Sequence, residues 1–138
     1  MAKLLKRQPL QVFLSYSHKD FKSVYSFWSR LRKDGLNVWL DKEYLHPGEN
    51  WANEIRRAII KSDIVIVCLS KQFNKKRGFR HQELKIALEK AKLFPDNEVF
   101  IVPIRLEKCD MPKSLQHLHR VDLFERGGYR ELISELKK

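Results

Sequence analysis

Glycine is scarce in this chain: five residues, at 35, 48, 78, 127 and 128, among 138. They form neither GxGxxG nor a Walker A phosphate cradle, which excludes an ordinary Rossmann dehydrogenase or P-loop enzyme. Cysteine is scarcer still. Cys68 lies inside an apolar run and Cys109 in a polar segment, so there is no disulfide framework, which suits a reducing compartment. No serine sits in a GxSxG elbow, and Cys68 reads as a packing residue rather than a nucleophile. His117 and His119 with Cys109 lack a paired CxxC or HxxxH spacing, so no metal centre is expected. No apolar stretch approaches the ~18 residues of a membrane span, and the basic start, Met1 to Arg7, is not followed by a signal-type h-region. RNP, KH and zinc-finger patterns are also missing, so nucleic acid is not the expected partner despite the charge.

What is present is positive charge and apolar periodicity. Lys and Arg total 28 against 17 for Asp and Glu, a net +11, while 43% of residues are apolar. That is enough to bury one core, and the sequence has no internal repeat or low-complexity linker. The expectation is a soluble, cytoplasmic single domain over residues 11–138, after a basic N-terminal extension over 1–10.

Short apolar runs alternate with longer amphipathic ones, the pattern of βαβ units around a parallel sheet. Val12-Phe13-Leu14 is the first strand. Phe21, Val24, Tyr25, Trp28 and Leu31 recur at helical spacing until Gly35. Asn37 to Asp41 is the second strand, and a polar loop follows, with Pro47-Gly48 as its turn. Trp51, Ile55, Ala58 and Ile59 mark a helix. Ile64 to Leu69, unbroken, reads as a central strand buried on both faces. A basic loop over Lys71–Gly78 leads to a helix with Leu84, Ala87, Leu88, Ala91 and Phe94 on one stripe, ended by Pro95. Val99 to Ile104 is the fourth strand, with Pro103 tolerable near an end or edge. Met111-Pro112 opens a helical turn, Val121 to Leu123 is a fifth strand, and Tyr129, Leu132, Ile133 and Leu136 form the closing helix. The fold class is α/β: a flavodoxin-like, five-stranded parallel sheet of order 2-1-3-4-5 with helices on both faces.

In such a sheet ligands bind beyond the carboxyl ends of the strands, where chain order reverses. Here that crevice lies between strands one and three. The loops Ser15–Asp20, Asp41–Asn50 and Ser70–Gly78 reach it, with the start of the helix holding Glu83.

Val12-Phe13-Leu14-Ser15-Tyr16-Ser17 comes first; Val38-Trp39-Leu40-Asp41, Pro47-Gly48-Glu49-Asn50-Trp51 and Ser62-Asp63 through Leu69-Ser70 follow in order. Together these motifs resemble a TIR (Toll/interleukin-1 receptor) domain, most nearly the stand-alone or fused TIR domains of bacteria, over residues 10 to 137. The resemblance implies either a self-associating signalling module or an enzyme that cleaves NAD+ at its nicotinamide–ribose bond. Enzymatic members carry a helix glutamate within Trp-x-x-x-Glu. The matching stretch is Phe79-Arg80-His81-Gln82-Glu83, in which Phe replaces Trp, keeping an aromatic face without the indole N–H.

By spacing alone, Glu83 reads as a solvated carboxylate pairing with Arg80; the resemblance makes it the catalytic residue. Phe13, Ser15, Tyr16, Phe79 and Asp41 are then the substrate-binding candidates, although Phe13 and Phe79 read equally as core. Trp51 reads as core or loop anchor. Leu45, His46, Pro47, Gly48, Glu49 and Asn50 form the loop after strand two, the BB loop, which in the family packs against a neighbouring TIR domain; by residue type it is a surface turn. Lys71, Lys75, Lys76, Arg77, Arg80 and Lys85 surround the approach to Glu83, as a solvated basic face or an attractor for a pyrophosphate. The function expected is an NAD+ glycohydrolase giving nicotinamide and ADP-ribose or a cyclic ADP-ribose, activated by self-assembly in bacterial immunity or cell death. No cofactor is implied, since NAD+ is the substrate. The partners implied are other TIR domains and a sensor domain or separate activating protein. The alternative is a non-catalytic TIR–TIR scaffold.

Overall fold

The computed structural model describes residues 10–40, 51–75, 79–93 and 99–137, with side chains from 53 onward in the helix that opens the second stretch and from 84 onward in the helix that opens the third. Five strands form one sheet: β1 (Gln11–Ser15), β2 (Asn37–Trp39), β3 (Ile64–Leu69), β4 (Ile101–Arg105) and β5 (Val121–Asp122). All pairings are parallel and the order is 2-1-3-4-5, as expected. The helices are α1 (Phe21–Lys33), α2 (Trp51–Lys61), α3 (Lys71–Lys75), α4 (Phe79–Ala91) and α5 (Gly128–Leu136), with 3-10 turns at His18–Asp20 and Lys113–Leu115.

β3 explains why the sheet must be covered twice. Each of its six residues is buried, so a continuous apolar run feeds two cores. Ile64, Ile66 and Cys68 join Val12, Leu14 and Tyr16 against α1 and α5. Val65, Val67 and Leu69 join Phe13 against α2 and α4, through Ile55, Ile59, Leu84 and Ala87. The helices supply matching stripes: Val24, Phe27, Trp28 and Leu31 are the buried residues of α1. Trp28 also donates its indole N–H to the carbonyl of Val38, 3.0 Å away, tying α1 to β2.

Several boundaries differ from the sequence expectation, and β1 extends by a residue at each end, to Gln11–Ser15. β2 stops at Trp39, after three register pairs with β1. β4 begins at Ile101 rather than Val99, and β5 is two residues long. The supposed loop after β3 opens with the helix α3. It is held from outside the segment at both ends: the Lys71 amide donates to Glu107 Oε2 at 2.8 Å, and the Asn74 side-chain amide to the Asp110 carbonyl at 2.9 Å. Pro103 sits in mid-strand, and β4 is interior in strand order. Leu106 N–H points to β3, so strand alternation turns residue 103's nitrogen to the β5 side, where register begins only at Ile104. No ladder donor is missed there. The anticipated helix end at Phe94-Pro95, the segment 76–78 and most of the basic extension lie outside the described residues.

Candidate functional site

The order 2-1-3-4-5 puts the reversal of strand order between β1 and β3. The chain leaves β1 through the turn at His18–Asp20 and leaves β3 through Ser70 into α3. α4 opens at this same end, because a right-handed crossover returns it from the carboxyl end of β3 to the start of β4.

β1 divides the candidates between two faces. Phe13 is buried, and its ring stacks on Trp39 with centroids 5.3 Å apart and an interplanar angle of 14°. Ser15, also buried, follows two residues later and so shares the Phe13 face, opposite Val67 in register. This is the face that α2 and α4 cover. Tyr16 goes to the other side. It belongs to the core under α1, with its ring 5.5 Å from that of His18 and 6.4 Å from that of Phe21.

Phe79 and Glu83 are the first and fifth residues of α4. Position 83 is four residues before Ala87, which is fully buried against the sheet, so the two positions share a helix face. The structure therefore brings β1 positions 13 and 15 and the first turns of α4 to one face and one end of the sheet. The far end of α4 is anchored separately. The Lys90 ammonium donates to the carbonyls of Ile59, Ile60 and Ser62 at the close of α2, and it lies 4.7 Å from the centre of the Phe100 ring. Of the basic cluster, Lys71, Lys75 and Lys85 are exposed. Asp41 and the BB-loop candidates Leu45, His46, Pro47, Gly48, Glu49 and Asn50 lie outside the described residues, as do the side chains of Phe79 and Glu83.

One polar connection across the crevice had no counterpart in the sequence reading. Ser70 Oγ donates to Asp20 Oδ2 at 2.5 Å and accepts from the Phe73 amide at 3.0 Å. The second contact is an N-cap on α3, whose sequence signal is a serine immediately before the helix. The first joins residues 50 positions apart, which no local pattern signals.

Other features of the surface lie away from this end. A cleft of about 570 Å³ runs between α1 and α5, lined in part by Arg30, Asp34, Arg126, Tyr129 and Arg130. His119 is bound to Glu131 at 3.0 Å. Among the described residues no three His, Cys, Asp or Glu side chains converge as a metal site would require, and no helix is long and apolar enough to cross a membrane.

Comparison with known proteins places this arrangement. The model of the TIR domain family matches residues 12–136. An uncharacterized protein, y4cD, of Sinorhizobium fredii is 28% identical over 106 residues, covering 75% of this chain and 16% of that protein. A protein of Methanobrevibacter olleyae named as a probable 2' cyclic ADP-D-ribose synthase, TcpO, is 27% identical over 88 residues, covering 63% of this chain and 26% of that one. The matched stretch is thus about a quarter or less of the length of these curated relatives. Among solved structures, the TIR domain of the Toll-related receptor TRR-2 from Hydra magnipapillata superposes with a TM-score of 0.78 at 23% identity, covering 94% of this chain and 99% of that one. The TIR domains of the activated Roq1 resistosome give 0.62 at 23% identity, over 93% and 70% of the two chains. A prokaryotic SEFIR domain gives 0.70 at 19% identity, over 94% and 99%. The structural likenesses speak to the fold, and the family model, which spans nearly the whole sequence, decides the rest: this chain belongs to the TIR domain family.

Proposed function

We propose that this TIR domain cleaves NAD+ at the nicotinamide–ribose bond, with Glu83 as the essential carboxylate. The observation that carries the reading is a glutamate in the first turns of α4, in a TIR chain with a relative named as a probable cyclic ADP-ribose synthase.

The chemistry needs little more than one carboxylate and a shaped crevice. The nicotinamide of NAD+ is already cationic and departs as a neutral base, so no general acid is required, in contrast with the carboxylate pair of ordinary glycosidases. Positive charge builds on the ribose as the bond breaks. A glutamate beside the ribose stabilises that charge electrostatically and accepts hydrogen bonds from its hydroxyls that strengthen in the transition state. Capture by water gives ADP-ribose, and capture by an adenine nitrogen gives a cyclic product. Phe13, Ser15, Tyr16, Phe79 and Asp41 are the residues proposed to form and support the substrate site. The buried positions of Phe13 and Tyr16, in the cores on opposite faces of the sheet, favour a supporting role for both, while Phe79 supplies an aromatic residue four positions before Glu83.

Activation is proposed to come from self-association, with residues 45 to 50 packing on a neighbouring domain. The setting proposed is a defence or cell-death pathway in which a sensor triggers clustering. NAD+ consumption by the purified protein, measured at low concentration and again when clustering is forced, tests the reading. Turnover that appears on clustering supports it. Intact NAD+ in a verified assembly overturns it in favour of a TIR–TIR scaffold.

A further inference from the structure

Asp20 occupies the N-cap position of α1, yet its side chain makes no hydrogen bond to that helix. An aspartate there ordinarily bonds an amide of its own first turn. Here the carboxylate reaches across to the end of β3 and accepts a hydrogen bond from the Ser70 hydroxyl at 2.5 Å instead. We infer that Asp20 is a positioning residue for the candidate site, which through Ser70 sets the start of α3 and hence the placement of the first turns of α4 that carry Glu83. The activity part of this inference rests on the NAD+-cleaving reading.

Three features make the contact a fixed coupling rather than a surface hydrogen bond. Ser70 is 1% exposed, so water does not substitute for its partner. Its hydroxyl is used in both directions, donating to Asp20 and accepting from the Phe73 amide, so any shift in Asp20 is passed to the α3 backbone. Asp20 is itself held by its amide, which donates to the Ser17 carbonyl at 2.8 Å. The other side of α3 is tied to the segment after β4 by the Lys71–Glu107 and Asn74–Asp110 bonds, and Phe73 is buried beneath it. α3 is therefore clamped from both flanks, and three residues separate its end from α4.

The test uses Asp20→Ala, Asp20→Asn, Ser70→Ala and the Asp20→Ala/Ser70→Ala double variant of the full chain. Asparagine keeps an oxygen acceptor for the Ser70 hydroxyl, so it is the conservative control. With NAD+ as substrate under clustering conditions, Asp20→Ala is expected to lower kcat by about tenfold, the scale of a small misplacement of a catalytic group, with KM nearly unchanged. Asp20→Asn is expected to restore most of that loss, and the double variant to be no slower than Ser70→Ala alone, because the two residues act through one bond. Additive losses, or wild-type kcat in Asp20→Ala, overturn the inference. Amide hydrogen exchange is measured on the same proteins and does not depend on turnover. Asp20→Ala is expected to speed exchange in 71–75 and 79–84 while leaving α2 and α5 unchanged. If the wild type leaves NAD+ intact, the NAD+ reading fails, and this exchange pattern alone decides the positioning role: no change in 79–84 overturns it.

Discussion

Phe13 and Trp39 lie ring on ring at the edge of the sheet, 5.3 Å between centroids, one on β1 and the other at its register partner on β2. The stack fastens a strand of three residues to the sheet interior just before the loop proposed to pack on a neighbouring domain. Phe13 is 1% exposed, so removing its ring leaves a cavity between β1 and the helices α2 and α4. Phe13→Ala is expected to cost about 3–5 kcal/mol of stability in a urea titration. Trp39→Ala is expected to cost less, since Trp39 is only half-buried. Equal losses would mean that the stack, and not the cavity, carries the energy.

A second expectation concerns acid. Arg105 grips Asp122 with two bonds, Nε to Oδ1 at 2.7 Å and a terminal nitrogen to Oδ2 at 2.8 Å, and Arg120 adds a third at 3.1 Å. The hydrogen bond from Arg105 is the main cause that holds the Asp122 carboxyl below its ordinary pKa, against a smaller opposing effect of burial. A depressed folded pKa contributes stability that is complete above the unfolded value and lost as pH falls through the folded one. Asp122→Asn is therefore expected to cost about 1–3 kcal/mol at neutral pH. The gap from wild type should close as pH drops below the ordinary value of 3.8. A gap constant down to pH ~2 would show that the charge is not what binds β4 to β5.

The paired glycines before α5 separate two kinds of constraint. Gly127 has φ +84 with open space where a Cβ would go, whereas a Cβ on Gly128 would lie 2.1 Å from the Asp122 carbonyl oxygen. Gly127→Ala is expected to cost about 1–2 kcal/mol through left-handed backbone strain alone. Gly128→Ala forces backbone apart from backbone and is expected to exceed that, at about 3 kcal/mol. Thermal unfolding of the two variants ranks them, and the reverse order would contradict the packing described at β5.

Much of the fold was legible because burial on two faces leaves a mark in the sequence. Ile64 to Leu69 is apolar without a break and forms β3 over those same residues. The stripes of α1 and α5 carry Val24, Trp28 and Leu31, and Leu132 and Leu136, at the predicted spacings, but Tyr25 is exposed and Phe27 is buried in its stead. α3 was not legible. Five residues have too little periodicity to announce a helix, and its ends are set by Asp20, Glu107 and Asp110, which come from other loops. The candidate site was readable only in part. The strand period of two assigns Ser15 to the Phe13 face and Tyr16 to the other, a division that grouping all three as substrate contacts overlooks. The Asp20–Ser70 bond has no sequence signature, since its partners are 50 positions apart.

The most direct test of the account is NAD+ turnover by the clustered protein beside its Glu83→Gln variant, with products separated by chromatography. Gln keeps the size and the hydrogen-bonding oxygen of Glu83 and removes the charge that is proposed to stabilise the ribosyl cation. The account predicts free nicotinamide with ADP-ribose or a cyclic ADP-ribose from the wild type, and a loss of about a hundredfold or more in the variant. Equal turnover by both proteins would contradict it.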